Sequence, residues 1–335
     1  MNQEILMLNE LRNVTLTAYL QKNGGEFRYA VRRPAVLVLP GGGYQFCSER
    51  EADPVAFPYL KAGYHVFILR YSVKENAVWP NPLEDYEQAM ELIREKADEW
   101  KLYPDKIAVI GFSAGGHLAA CAATMSKNRP NAAILGYAVT TGETARECCP
   151  SAPDVISAVS EKTSPCFLFA TRNDNVVPVE NSLKMMSALA AAGVSFESHI
   201  YAYGPHGFST ADSSVQGLTS GLCLRAPQWV PDSIGWLRDV LGDFGPEGMT
   251  EPVCKAHISG DSAPFLSVDC TIGHLMENSN ARDILEPILS RSKRNGGERS
   301  DMVLRMKLRD ALQFGAVSEE TVQMINRRLS SIPNA

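Results

Sequence analysis

The chain has 335 residues, 45% hydrophobic and 21% charged, with 38 acidic against 32 basic side chains and a formal charge of −6. That is enough apolar length to bury a substantial core and to form one large domain plus an accessory piece. The acidic balance offers no basic surface to nucleic acid. Residues 1–21 show no cationic start followed by an apolar core, and no stretch approaches the ~20 apolar residues of a membrane span, so a cytoplasmic protein without a membrane partner is expected.

In chain order, the first strand pattern is Val14–Leu20, and a second, Val36–Leu39, runs into Pro40-Gly-Gly-Gly-Tyr44. Glycines directly after a strand let backbone amides approach a ligand closely. Neither GxxxxGK[ST] nor GxGxxG followed by a helix is present, so these glycines do not read as a phosphate cradle. A strand-like Val66–Arg70 and a helix-like Pro82–Trp100 follow.

Next comes Ile107-Ala-Val-Ile-Gly-Phe-Ser-Ala-Gly-Gly-His-Leu-Ala-Ala120, a β-rich run that breaks into GxSxG and continues in small helix formers. This predicts a strand turning sharply into a helix with Ser113 at the apex, where Gly111 and Gly115 leave room for the turn. His117 falls on the helix after the turn and is expected to be structural or to wall a pocket.

Ala132–Tyr137 reads as a further strand, and Thr140–Thr163 is long and irregular, as cap or pocket-wall segments are. The strand pattern Cys166–Thr171 ends in Arg172-Asn-Asp-Asn-Val-Val-Pro178, which sets Asp174 just past a strand's carboxyl end. After a helix-like Val179–Ala192, the alternating Phe196–Tyr201 leads to Tyr203-Gly-Pro-His-Gly-Phe208 and places His206 in a tight loop; Ser209–Pro231 is a second irregular segment. Strands alternating with helices predict an α/β fold with a mostly parallel sheet covered on both faces. Binding and catalytic groups of such sheets gather at the strands' carboxyl ends, where Ser113, Asp174 and His206 can meet.

The three side chains suit three tasks. A serine hydroxyl is a poor nucleophile at neutral pH, and an imidazole can take its proton and return it to a leaving alcohol. A carboxylate holds the ring in the useful tautomer and stabilises the imidazolium. An oxyanion also needs donors, for which the backbone amides of Gly42, Gly43 and Ala114 are the candidates. Tyr44, Phe46, Trp79 and Trp229 are the aromatic candidates for substrate stacking, and all four equally suit core or loop packing.

Near Phe244-Gly-Pro-Glu-Gly248 the periodicity changes, giving a catalytic domain over 1–245 and an accessory domain over 246–335. Helices are predicted over Ala281–Ser292, Met302–Phe314 and, after a Ser318 N-cap, Val322–Leu329. So small a helical piece is expected to pack on the larger domain or on another copy, as a lid or a homodimer contact. The cationic run Arg291–Arg299 reads as a solvated turn. Eight cysteines without CxxC spacing read as reduced, buried thiols.

Taken together, Pro40-Gly-Gly-Gly-Tyr44, Trp79-Pro-Asn-Pro82 with Asp85, Gly111-Phe-Ser-Ala-Gly-Gly-His117, Asp174-Asn-Val-Val-Pro178 and Gly204-Pro-His-Gly-Phe208 resemble, in order and spacing, the α/β-hydrolase superfamily. Within it they look like the bacterial carbohydrate-esterase branch of acetylxylan esterases and feruloyl-esterase-like domains, over roughly residues 10–245. The resemblance implies ester hydrolysis by Ser113, His206 and Asp174 with neither a metal nor an organic cofactor. Its expected substrates are small acyl esters, acetyl foremost, of plant-derived carbohydrate such as xylo-oligosaccharides. Pro40 stands where the broader lipase pattern begins its glycine motif with histidine, which favours sugar esters over lipids. Two rival readings remain: a serine peptidase of the prolyl-oligopeptidase type, for whose usual propeller the chain has no space, and a non-catalytic hydrolase-fold module whose tail recruits a partner.

Overall fold

A computed structural model of the chain describes residues 1–215, 221–257, 261, 265–289 and 301–334. It divides into two compact units, Met1–His257 and Ile258–Ala335.

The first unit is built on β1 (Asn2–Asn9), β2 (Val14–Leu20), β3 (Arg33–Leu39), β4 (His65–Arg70), β5 (Leu102–Phe112), β6 (Ala132–Gly136), β7 (Cys166–Thr171) and β8 (Phe196–Tyr201). They form one sheet in the order β1-β2-β4-β3-β5-β6-β7-β8. β1 and β2 pair antiparallel, as do β2 and β4, and every pairing from β4 through β3 to β8 is parallel. Its helices are α1 (Asp53–Lys61), α2 (Asn81–Glu95), α3 (Ala97–Trp100), α4 (Ser113–Met125), α5 (Gly142–Cys148), α6 (Glu180–Ala191) and α7 (Trp229–Leu241).

Period-two alternation within each strand supplies two cores, one per sheet face. Leu37, Phe67, Val109, Leu135 and Leu168 point to a core shared with Met90 of α2, Leu118 of α4 and Leu189 of α6. Their neighbours Val38, Ile68, Ile110, Ile134 and Phe167 point the other way, to Tyr59 of α1 and Trp236 and Leu237 of α7. Such double burial explains why the central strands read as near-continuous apolar runs.

The expected parallel α/β sheet is present, and several elements differ from the sequence reading. β1 is an added edge strand; its residues are exposed or half-buried, and Ile5-Leu-Met-Leu8 between polar ends shows no period-two alternation. The helix expected over 82–100 is two, α2 and α3, meeting at Lys96. α1 and α7 have no counterpart in the sequence pattern, because Pro54 and Pro58 in α1 and Pro231 in α7 read as breakers. α7 starts inside the segment 209–231 expected to be irregular, of which residues 216–220 lie outside the described residues. The 140–163 segment contains α5 and is otherwise mostly irregular.

The change of periodicity near Pro246 is a hairpin rather than the end of the first unit. β9 (Phe244–Gly245) pairs with β10 (Gly248–Met249), and the chain returns to the first unit through Cys254 N to Asp239 O (2.9 Å) and Ser195 N to Ala256 O (2.9 Å). These bonds hold residues 248–257 to the sheet layers and place the division at His257.

The second unit contains α8 (Ile272–Glu277), α9 (Ser279–Leu289), α10 (Asp301–Arg305), α11 (Leu308–Phe314) and α12 (Glu319–Leu329) around a core that includes Ile272, Leu285, Leu308, Leu312, Val322 and Ile325. The helix expected over Met302–Phe314 breaks at Lys307, which is extended because Met306 and Leu308 bond to Ile272 and Cys270 on either side of Thr271. Ser318 caps α12 as expected. Residues 290–300, with the end of one expected helix and the cationic run, lie outside the described residues.

Candidate active site

β5 passes into α4 with no residue between Phe112 and Ser113, and Ser113 takes a φ of +53°, a left-handed conformation that side chains adopt only at a cost of about 1–3 kcal/mol. Close packing enforces it. A Cβ on Gly111 would stand 2.1 Å from the Gly115 oxygen, and one on Gly115 would stand 2.2 Å from the Leu39 oxygen at the end of β3. The glycines thus let α4 start directly against two strand ends and lift the serine above them.

His206 reaches Ser113 across this edge. Its Nε2 lies 2.9 Å from Ser113 Oγ, and its Nδ1 lies 2.7 Å from Asp174 Oδ2. A carboxylate only accepts, so Nδ1–H donates to Asp174 and the bare Nε2 accepts the serine proton. The Asp174 side chain is fully buried, and its other oxygen accepts from the Val176 and Val177 amides, both at 2.9 Å. The histidine loop is held at Gly204, whose amide donates to Asn173 Oδ1 (2.8 Å) and whose carbonyl accepts from Thr171 Oγ1 (2.8 Å). All three residues expected from sequence therefore converge, drawn from the ends of β5, β7 and β8.

The three candidate amides belong to the glycine loop after β3 and to the first turn of α4, and Gly41 of that loop packs so closely on the turn that a Cβ there would lie 3.1 Å from Ser113 Cβ. Gly42 and Gly43 adopt φ of +131° and +61°, and a Cβ on Gly42 would collide with the Phe46 carbonyl at 2.1 Å. Among the described residues neither amide has a hydrogen-bond partner, and that of Ala114 lies in the first turn of α4, where no intrahelical acceptor exists. The amide of Gly41 is taken: it donates to Glu51 Oε2 at 2.8 Å.

The aromatic candidates divide. Tyr44 is buried and its hydroxyl lies 2.8 Å from His117 Nδ1, which makes it a strut of the glycine loop and not a substrate platform. Trp229 is also corrected: it is wholly buried, stacks on Phe169 at 4.2 Å and donates from its indole nitrogen to Ser209 O. In both cases a large apolar area and a satisfied polar tip make the interior the stable place. Trp79 is half-buried with its ring edge-on to His117 at 5.4 Å, and Phe46 is exposed.

Two further side chains organise the surroundings: His117, which is structural as expected, and Glu51, which no local pattern singles out. His117 is fully buried, bonded to Tyr44 and through Nε2 to the Pro153 carbonyl (3.0 Å), so it fastens the glycine loop and the 150–155 segment to α4. Burial pushes its pKa down to about 4, and it is neutral at physiological pH. Glu51 is buried between Gly41 and Tyr137, within a charged Glu49-Arg-Glu51 run that looks solvated in sequence. Among the described residues no group of three or more His, Cys, Asp or Glu side chains is placed to hold a metal ion, no helix is long and apolar enough to cross a membrane, and no two cysteines are bridged.

Known proteins share this framework. The BD-FAE family profile matches residues 28–138, which contain the glycine loop and Ser113, and the prolyl oligopeptidase family profile matches residues 151–222, which contain Asp174 and His206. An acetylxylan esterase of Xylanibacter ruminicola is 31% identical over 196 residues, 52% of this chain and 41% of that protein. The chain spans less than half the length of the curated relatives it matches, among them the endo-1,4-beta-xylanase B of Butyrivibrio fibrisolvens, of which 35% is covered at 31% identity over 57% of this chain. Among solved structures, an acetyl ester-xyloside bifunctional hydrolase from Caldicellulosiruptor lactoaceticus is 30% identical with a TM-score of 0.61, covering 70% of this chain and 95% of that one. The α/β hydrolase MGS-M1 from a Medee basin deep-sea metagenome library is 42% identical with a TM-score of 0.67, and the match takes in 72% of this chain and 98% of that one. With likeness over nearly the whole of these solved chains and a serine elbow on a parallel sheet, this chain belongs to the α/β-hydrolase superfamily, in its carbohydrate-esterase-like branch.

Proposed function

We propose that this protein is a serine carboxylesterase that removes small acyl groups, acetyl foremost, from plant-derived oligosaccharides such as xylo-oligosaccharides. The observation that carries the activity is the continuous line Ser113–His206–Asp174, with candidate oxyanion amides that have no partner among the described residues. His206 takes the Ser113 proton as Oγ attacks the ester carbonyl; the oxyanion rests on the amides of Gly42, Gly43 and Ala114. The leaving alcohol receives the proton from His206, and water activated by the same ring then releases the acid from the acyl-enzyme. Asp174 holds the ring by accepting from Nδ1–H while its other oxygen accepts from two backbone amides. The relatives named for acetylxylan and acetyl ester-xyloside hydrolysis support the substrate class, and eight cysteines without a bridge support a reducing, intracellular setting in which oligosaccharides arrive by import.

Ser113→Ala is expected to abolish turnover of p-nitrophenyl acetate and labelling by a fluorophosphonate while leaving the circular dichroism spectrum intact; full activity in this variant would remove the mechanism. Acetylated xylo-oligosaccharides, followed by mass spectrometry, are expected to lose acetyl groups, and p-nitrophenyl esters are expected to react more slowly as the acyl chain lengthens. The prolyl oligopeptidase match over the acid and histidine supports a second reading, peptide hydrolysis with the same triad. Turnover of a prolyl p-nitroanilide faster than of p-nitrophenyl acetate would favour it.

A further inference from the structure

The esterase mechanism leaves one buried ionisable side chain beside the triad unused. Glu51 is only 3% exposed, and both its oxygens accept hydrogen bonds: Oε2 from the Gly41 amide at 2.8 Å and Oε1 from the Tyr137 hydroxyl at 2.6 Å. Gly41 precedes the two glycines that offer oxyanion donors, and its backbone is so tightly enclosed that a Cβ there would lie 2.7 Å from Glu51 Oε2 and 3.1 Å from Ser113 Cβ. Tyr137, at a φ of +33° just past β6, packs its ring against the His206 imidazole with centroids 5.0 Å apart. Its oxygen also accepts from the Ser209 amide (3.0 Å), three residues beyond His206. One carboxylate thus touches the glycine loop directly and the histidine loop through a single phenol.

We propose that Glu51 is a positioning residue of this active site: by holding the Gly41 peptide and the Tyr137 hydroxyl together, its carboxylate keeps the Gly42 and Gly43 amides and the His206 ring in register with Ser113. The proposal rests on the serine-esterase reading above. A carboxyl group accepts at both oxygens from two donors without offering one of its own only when ionised. Burial pushes the Glu51 pKa up, and the hydrogen bonds from Tyr137 and Gly41 oppose that shift by favouring the carboxylate. The charged and titratable groups facing it are Arg50 on its own turn, Tyr137 beyond β6, Tyr71 beyond β4 and His206 on the histidine loop. His206, when protonated, therefore meets a second negative charge in addition to Asp174.

Glu51→Gln removes that charge and cannot accept from both donors with its one carbonyl oxygen. In p-nitrophenyl acetate hydrolysis its kcat is expected to fall about 10- to 100-fold, somewhat less than for loss of an oxyanion donor, with KM changed by less than about twofold. The acid limb of kcat/KM is expected to move to lower pH, because a charge favouring imidazolium and a titrating carboxyl are both gone. The fraction of sites labelled by a fluorophosphonate at saturation is expected to stay that of the wild type. A kcat within about twofold of wild type with an unmoved acid limb, or a loss matched by a loss of labelled sites, would overturn the proposal. Should Glu51→Gln fail to fold, Tyr137→Phe keeps the carboxylate and removes one of its donors; the same kcat loss at constant KM is expected, and wild-type kcat would overturn the idea. Wild-type protein that neither hydrolyses the ester nor is labelled at Ser113 would instead end the esterase reading, and this proposal with it.

Discussion

A methyl group on Gly115 would stand 2.2 Å from one backbone oxygen and 2.4 Å from another, neither of which can swing aside. Gly115→Ala is therefore expected to destabilise the protein by about 1–3 kcal/mol or more, read from urea unfolding. Gly235 in α7 has open space around its missing Cβ, and Gly235→Ala is expected to stabilise by about 0.5–1 kcal/mol in the same experiment. The two buried histidines predict acid lability. Burial lowers the pKa of His117 and of His65 from 6.5 to about 4, so the folded state binds their protons less tightly than the unfolded chain does. Their neutral forms favour the fold fully above pH 6.5, and the advantage is lost as pH falls toward 4, by up to about 3 kcal/mol for each ring. The urea midpoint should drop over that window, and a combined His65→Gln, His117→Gln protein should drop less over it. At this scale the convergence of Ser113, Asp174 and His206 was legible because each sits in a short local pattern of glycines and strand ends. Glu51 was not, since its role is set by Tyr137 across the fold; and nothing local separates an aromatic that stacks on substrate from one that, like Trp229, stacks on Phe169.

Among the elements, α2 shows how a residue noted in a motif can be structural. Asp85, fully buried on that helix, accepts from the Ser72 amide at 2.8 Å and pairs with Arg12 at 2.5 Å, which joins α2 to the β1–β2 turn and to the end of β4. Asp85→Ala leaves the Ser72 amide without its acceptor and the largely buried Arg12 guanidinium with only Asn81 and Glu84 beside it, and about 3 kcal/mol of destabilisation is expected by calorimetry or urea unfolding, with KM for p-nitrophenyl acetate unchanged. The parallel strands were readable because burial on both faces writes an unbroken apolar run, as in β3. Two helices escaped notice because proline within a turn of their starts or ends looks like punctuation, and α10 and α11 were merged because their periodicity continues across Lys307 while the backbone does not. Tertiary bonds to Ile272 and Cys270, absent from any local window, decide that break.

For the whole molecule, the sequence disclosed that a helical piece follows the hydrolase fold, but not where the first unit ends, since the return of residues 248–257 is a matter of hydrogen bonds to distant strands and helices. A chain ending at His257 contains every residue of the proposed mechanism and its own two cores, and it is expected to unfold cooperatively and to keep p-nitrophenyl acetate turnover. If the second unit makes the homodimer contact expected from sequence, light scattering will report a dimer for the full chain and a monomer for the shortened one; an unchanged mass would withdraw that role. The order of the strands has its own consequence. Ser113 follows β5 in the middle of the sheet, while His206 follows β8, an edge strand, which among the described strands has a neighbour on one side only. Border strands loosen before interior ones, so gentle heating should silence the enzyme while its centre is still solid: inactivation would mark the peeling of a margin and precede collapse of the fold.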